Sequence, residues 1–393
     1  MEQKKIPLFT IFLTVLIDLL GICIVIPIST PLILNNDTGI LSPGLSPHIK
    51  TIILGALLSS FPIAQFFGAP ILGSLSDRHG RKKILMISIF GSCIGYLLFA
   101  YGIYAQNIYI LFFSRILDGF TGGNIAVIYA AIADRSSQED KPKNFALIGM
   151  AFGLGMIIGP ALGGVLSDSS IHPYFNFKTP YLFAAALCLL NLFLVYINFE
   201  ETLEKLSQVK INALTGFRNL YEGFTHPSLK WLFLIAFFYS LGFNFYTQFF
   251  QVFVYKKFAF DQTQIGRYFT WVGICITFFQ AVVIRRISGK ILPEKIIQYS
   301  MLLTSFSLVW NILTSQAWMI YLFTPFTALG QGLSFPNITG LISKNAIQGQ
   351  QGKTLGIQQS VLAASLAIPP ICASFLDGID MRMPILTASA SIF

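Results

Sequence analysis

Gly73-Ser74-Leu75-Ser76-Asp77-Arg78-His79-Gly80-Arg81-Lys82-Lys83 is a glycine-framed turn, one acid followed by clustered bases, wedged between two long apolar runs. A glycine near each end permits tight turning and close approach of helices. Asp77 is spaced to sit against a positive helix N-terminus or to pair with Arg81. A basic loop that only fixes membrane topology would account for the bases, but not for the ordered acid and glycines.

The chain around this stretch is 54% hydrophobic and only 11% charged, with a mean hydropathy of +0.68. Soluble domains carry roughly 25% charged residues, so a water-soluble fold is excluded. Apolar runs fall at roughly 8–34, 51–75, 84–104, 108–133, 145–167 and 180–199, then at roughly 231–255, 263–284, 296–314, 317–343 and 354–376. Each is long enough to cross a bilayer, which takes roughly 20 apolar residues. A twelfth run starts near Pro384 and is too short to cross, so that helix is expected to be truncated or partial. Between the two sets lie Glu200, Glu201, Glu204, Lys205, Lys210, Arg218 and Glu222 among turn formers. The expected organisation is therefore 1–199 as an N-terminal six-helix bundle, 200–230 as a cytoplasmic linker and 231–393 as a C-terminal bundle.

Lys and Arg concentrate at the N-terminus and in alternate loops, among them Lys4, Lys5, Arg78, Arg81, Lys82, Lys83, Arg135, Lys141, Lys143, Lys205, Lys210, Arg285, Arg286 and Lys290. The other loops hold only Lys50, Lys178, Lys256, Lys257, Arg267 and Arg382, which predicts a cytoplasmic N-terminus. The net charge of +9 is thus topological, and no basic, aromatic-interleaved domain exists to bind nucleic acid. The five cysteines lie in or beside apolar runs without metal-ligand spacing and are read as reduced packing residues. No cleavable signal is expected, because the first run continues through Pro27 and Pro31.

Three further constellations fall in the first half. Asp18 sits inside the first run, with Thr10 and Thr14 on its face. An acid there suits proton exchange, since burial and a nearby Arg115 act on it in opposite senses; the alternative is a permanently paired structural acid. Arg115 and Asp118 share a face of the fourth run at i, i+3 spacing, either lining a cavity or snorkelling to water. In the fifth run Gly155, Gly159 and Gly163 recur four apart, with Pro160 and Gly164 beside them. That spacing makes a close-packing seam, and the proline adds a kink.

Taken together, these segments resemble the major facilitator superfamily. The 73–83 stretch resembles its conformational latch (Gly73, Asp77, Arg78, Gly80, Arg81, Lys82), and the 149–164 glycines its antiporter signature. Arg115 resembles its fourth-helix arginine. Across residues 8–200 the likeness is to the tetracycline/proton and drug/proton antiporter branch. The resemblance implies an all-α membrane fold of two pseudo-symmetric six-helix bundles, acting as a proton-coupled exporter by alternating access. It implies a proton-transfer role for Arg115, beside which Asp18 and Asp118 are read as proton-coupling residues although an acid at 118 is less typical of the motif, and the proton gradient in place of a cofactor. The implied partners are a small solute, protons and the bilayer, with the chain a monomer in the inner membrane. Gly95-Tyr96 stands where the tetracycline carriers place an acid before an aromatic, which sets tetracycline itself apart from the expected substrates.

The solute side is read in the second half. Ser240, Asn244, Gln248 and Gln251 recur at helical spacing among phenylalanines and tyrosines. Gln331, Ser334 and Asn337 follow in the tenth run and Gln358 in the eleventh. Uncharged hydrogen-bonding groups among aromatics suit an amphiphilic drug, siderophore or metabolite; hydrogen bonds between helices are the competing use. An importer or facilitator of a sugar, organic acid or peptide is the alternative function. An enzyme is not expected, since the histidines fall in loops and no phosphate loop or metal-ligand cluster appears.

Overall fold

The computed structural model describes residues 8–135, 141–203, 214–287, 290–346 and 351–393. Lys4, Lys5, Lys205 and Lys210 lie outside the described residues, as does the centre of the expected linker.

The first run is two helices, α1 (Leu8–Ile24) and α2 (Ser29–Leu34). Pro27 lacks an N–H, and the chain passes it through turns closed by Ile26 N–H to the Cys23 carbonyl and Ile28 N–H to the Val25 carbonyl. Next come α3 (Pro47–His79), capped by the Ser46 hydroxyl, and α4 (Arg81–Tyr104). Gly80 joins them at φ +95°, a conformation that L side chains rarely adopt. The fourth run is α5 (Ile108–Thr121), a 3₁₀ turn at Gly122–Asn124 and α6 (Ile125–Arg135). That break has a packing cause: a side chain at Gly123 would begin 2.5 Å from the Ala69 nitrogen, so only glycine lets this segment lie on α3. α7 (Lys141–Leu166) and α8 (Thr179–Asn198) complete the first half.

The second half holds α10 (Lys230–Phe258), α11 (Gln262–Ile287), α12 (Pro293–Leu313), α13 (Ala317–Lys344), α14 (Gln351–Asp377) and α15 (Met383–Ile392). Ten stretches among the described residues are long and apolar enough to cross a membrane. α13 is not one of the ten although it has 28 residues, because Thr324, Thr327, Gln331, Ser334 and Asn337 dilute its apolar character. α15 is only 10 residues long. The linker, expected as loop, contains a helix, α9 (Thr215–Thr225). Phe217, Leu220 and Phe224 give it an apolar stripe that charge counting overlooks; Phe217 meets the Phe66 ring edge-on at 5.1 Å and Phe224 meets Phe237 at 5.6 Å.

The halves meet along two helix pairs, α3 with α14 and α7 with α11. Their contacts gather at the end of the molecule that holds the turns near 167–178 and 259–261, here called the distal end, opposite the Gly80 turn. There Ser59 donates to the Ala367 carbonyl at 2.9 Å, and Thr263 donates to the Gly164 carbonyl at 3.1 Å. Lys256 pairs with Asp377 and reaches across to the Thr51 hydroxyl at 3.1 Å. Toward the other end, Gly149 on α7 and Gly356 on α14 face open space.

Candidate functional site

Asp18 is held by two carboxamides. Asn124 Nδ2 donates to Oδ2 at 2.8 Å, and Asn191 Nδ2 donates to Oδ1 at 2.9 Å. The 3₁₀ break in the fourth run presents Asn124, and α8, packed along α1, presents Asn191. Neither asparagine was singled out in the sequence. A neutral amide inside an apolar run reads as helix glue, and its partner lies 106 or 173 residues away. Thr14, one turn before Asp18, is buried, and its hydroxyl has no hydrogen-bond partner. The Thr10 side chain lies outside the description.

Arg115 does not take the role expected beside Asp18. Its guanidinium bonds Asp118 Oδ2 at 2.8 Å, with both side chains buried. The rings of Phe99, Phe61 and Tyr96 surround it at 5.0, 5.7 and 5.8 Å. The i, i+3 spacing brings the two side chains within reach, and the cage removes the route to water that snorkelling needs. Gly95 explains the missing third-helix acid: a side chain there would begin 2.9 Å from the Asp118 Cβ, so Asp118 fills that space from α5.

The glycine seam of α7 faces α1. Side chains at Gly155, Gly159 and Gly163 would begin 3.2 Å from Leu19 Cβ, 2.5 Å from Cys23 Cβ and 2.0 Å from the Ile24 carbonyl oxygen. The helix carrying Asp18 therefore lies directly on the seam. The adjacent face of α7 meets the other half, with Gly164 against Gln262 and Thr263, and the Pro160 carbonyl against Gly266. The predicted close approach is thus two approaches, on neighbouring faces.

The residues from Ser76 to Lys82 form a network within the first half. Arg81 binds Asp77 at 2.5 Å, Asp134 at 3.0 Å and the Ser76 hydroxyl at 2.6 Å. Glu201, beyond α8, accepts the Arg81 and Lys82 backbone N–H groups at 2.9 and 3.2 Å, so a carboxylate caps the N-terminus of α4. Lys82 Nζ reaches the Tyr196 carbonyl at 2.8 Å. A side chain at Gly80 would begin 2.4 Å from Glu201 Oε2. Gly73 stands in α3 near Ala126, and Arg78 lies in its last turn. Asp134 was not singled out and Glu201 was read only as a linker charge, because they lie 53 and 120 residues from Arg81.

The polar stripe of the second half divides. Ser240 accepts from the Ser365 hydroxyl at 2.8 Å, Ser334 pairs with Ser300 at 2.7 Å, and Gln358 donates to Thr339 at 2.8 Å. These three join neighbouring helices. Asn244 donates to Ser240 and Asn337 to the Leu333 carbonyl within their own helices, Gln251 donates to the Gln248 carbonyl, and Gln331 accepts from the Tyr239 hydroxyl. Asn244, Gln248, Gln331 and Asn337 remain half-buried.

A stack of apolar helices with a clamped acid, a caged ion pair and a glycine-bearing contact between α7 and α11 is the architecture of a multi-pass membrane protein. The family model of the Major Facilitator Superfamily matches residues 11–370, and the chain belongs to that family. It is 29% identical over 368 residues to the class H tetracycline resistance protein of Pasteurella multocida, covering 93% of this chain and 88% of that one. It is 29% identical over 395 residues to multidrug resistance protein 1 of Bacillus subtilis, covering 100% and 95%. Among solved structures, the human organic anion transporter MFSD10 (TETRAN) shares the fold at a TM-score of 0.75 and 20% identity, over 100% of this chain and 98% of that one. The D-xylose-proton symporter shares it at 0.77 and 15%, over 98% and 97%.

Proposed function

We propose that this transporter exports a small amphiphilic solute in exchange for protons. One observation carries the reading: the acid inside the first span takes its hydrogen bonds from two neutral amides, while the neighbouring guanidinium is bonded to Asp118. Asp18 can therefore gain or lose a proton without breaking an ion pair. Arg115 and Asp118 set the electrostatics around it, and 1–199 and 231–393 rock against each other about the 200–230 linker. The residues from Gly73 to Lys82 act as the latch, and the α7 seam transmits movement between α1 and α11. The N-terminus lies in the cytoplasm of a cell whose inner membrane holds the chain, so the distal end faces outward. Asn244, Gln248, Gln331 and Asn337, with the aromatic residues around them, offer the solute its polar contacts. The resistance proteins among the relatives support export of drug-like molecules.

In everted vesicles loaded with a pH-sensitive dye, ethidium and tetracycline serve as probes. Asp18→Asn is expected to abolish probe-driven proton movement while the protein still inserts and folds. Proton movement that persists in this variant would remove Asp18 from the coupling role.

A further inference from the structure

We infer that Asn191 reads the protonation state of Asp18 by turning its side-chain amide, which makes it a positioning residue for proton coupling. The inference rests on the reading of Asp18 as the coupling acid. Asn191 is fully buried on α8. Its Nδ2 donates to Asp18 Oδ1 at 2.9 Å and to the Thr14 carbonyl at 3.3 Å, yet its Oδ1 is buried with no partner at all. Asn311, Gln251 and Gln358 also bury an unpartnered amide oxygen, and what sets Asn191 apart is that the same amide donates to a carboxylate.

An ionised carboxylate only accepts, and the amide pair of Asn124 and Asn191 satisfies it. Once protonated, the same group carries an O–H that needs an acceptor. A half-turn of the Asn191 amide exchanges its nitrogen and oxygen, a motion the two-fold χ2 torsion permits. The orphan oxygen then receives the new proton, the amide's 3.3 Å bond to the Thr14 carbonyl is given up, and the freed N–H₂ swings toward the other side of the pocket. The Thr14 hydroxyl, also buried without a partner, lies one turn from Asp18 on α1 and offers a second group to rearrange. Proton uptake on α1 thereby changes the bonding between α1 and α8. The titratable groups facing Asp18 are Tyr96 on α4, Asp118 on α5 and Cys188 on α8, and Asp118 carries Arg115 as its ion-pair partner. Arg115 and Asp118 are bonded to each other, which leaves the amides of Asn124 and Asn191 to follow Asp18, and of these the Asn191 oxygen is the one buried without a partner.

The test uses the full chain reconstituted in proteoliposomes, with ethidium as probe. Asn191→Leu keeps the volume and removes donor and acceptor, while Asn191→Gln restores both. Leucine is expected to lower ethidium-driven proton release about tenfold and to displace its pH profile by about one unit, the size of one lost hydrogen bond to a charged group; glutamine is expected to recover part of both. Infrared difference spectra of the wild type across the titration supply a reading that needs no variant at residue 191. A side-chain amide C=O band is expected to change together with the carboxyl band, and both are expected to vanish in Asp18→Asn. Wild-type release and pH profile in Asn191→Leu, or a carboxyl change with no amide change, would overturn the inference while leaving Asp18 in place. Persistence of proton release in Asp18→Asn would instead overturn the coupling role itself.

Discussion

Arg115 shows how a residue can be legible in kind and misread in partnership. An arginine inside an apolar run announces itself, and so does an acid three residues on. Which acid the guanidinium chooses is decided by the rings of Phe61, Tyr96 and Phe99, which come from two other helices and carry no charge pattern to read. Asp18 was visible for the same reason as Arg115, whereas its two asparagines were not, because a neutral amide in a span has many uses. The pair is expected to be costly to break. Arg115→Ala leaves Asp118 buried and unpaired, and the loss should be about 3–5 kcal/mol. Thermal unfolding in detergent measures it, and joint replacement by Arg115→Met and Asp118→Leu should recover most of the loss. Equal stability of the single and double variants would show that the pair is not the source.

At the scale of the element, the helices follow directly from the apolar runs, and their boundaries fall within a few residues of the expected ones. Interruptions were harder to read. The break at Gly122–Asn124 depends on α3 lying against Gly123, and α9 depends on rings of α3 and α10 receiving its apolar stripe. Spacing showed that α7 has a glycine seam, but no spacing says which helix fills it. A pair of substitutions on this one helix separates packing from propensity. Gly163→Ala places a methyl 2.0 Å from the Ile24 carbonyl oxygen and is expected to destabilise the protein and stop transport. Gly149→Ala meets nothing within 4 Å, so it should be neutral or add up to about 1 kcal/mol of stability from helix propensity. Thermal unfolding and ethidium efflux on both variants check the contrast.

For the whole molecule, the contacts between halves are gathered at the distal end, and they include one titratable group outside the spans. Burial acts to raise the Asp168 carboxyl, but hydrogen bonds from Ser170 and Thr263 and the Arg267 charge together hold it below its usual range. A depressed carboxyl contributes stability above its unfolded value and loses it as pH falls through the folded value. The stability gap between the wild type and Asp168→Asn is therefore expected at neutral pH and should close only below the ordinary carboxylate range. Unfolding midpoints measured across pH test this, and a gap that widens on acidification would contradict it. Protonation of Asp18 is proposed to move one half against the other. Spin labels on cysteines placed at Ile49 and Ile379, both exposed at the distal end, report that movement as a distance in the reconstituted protein. The distance is expected to change with pH in the wild type and to be fixed in Asp18→Asn; a pH-driven change of the same size in that variant would contradict the account.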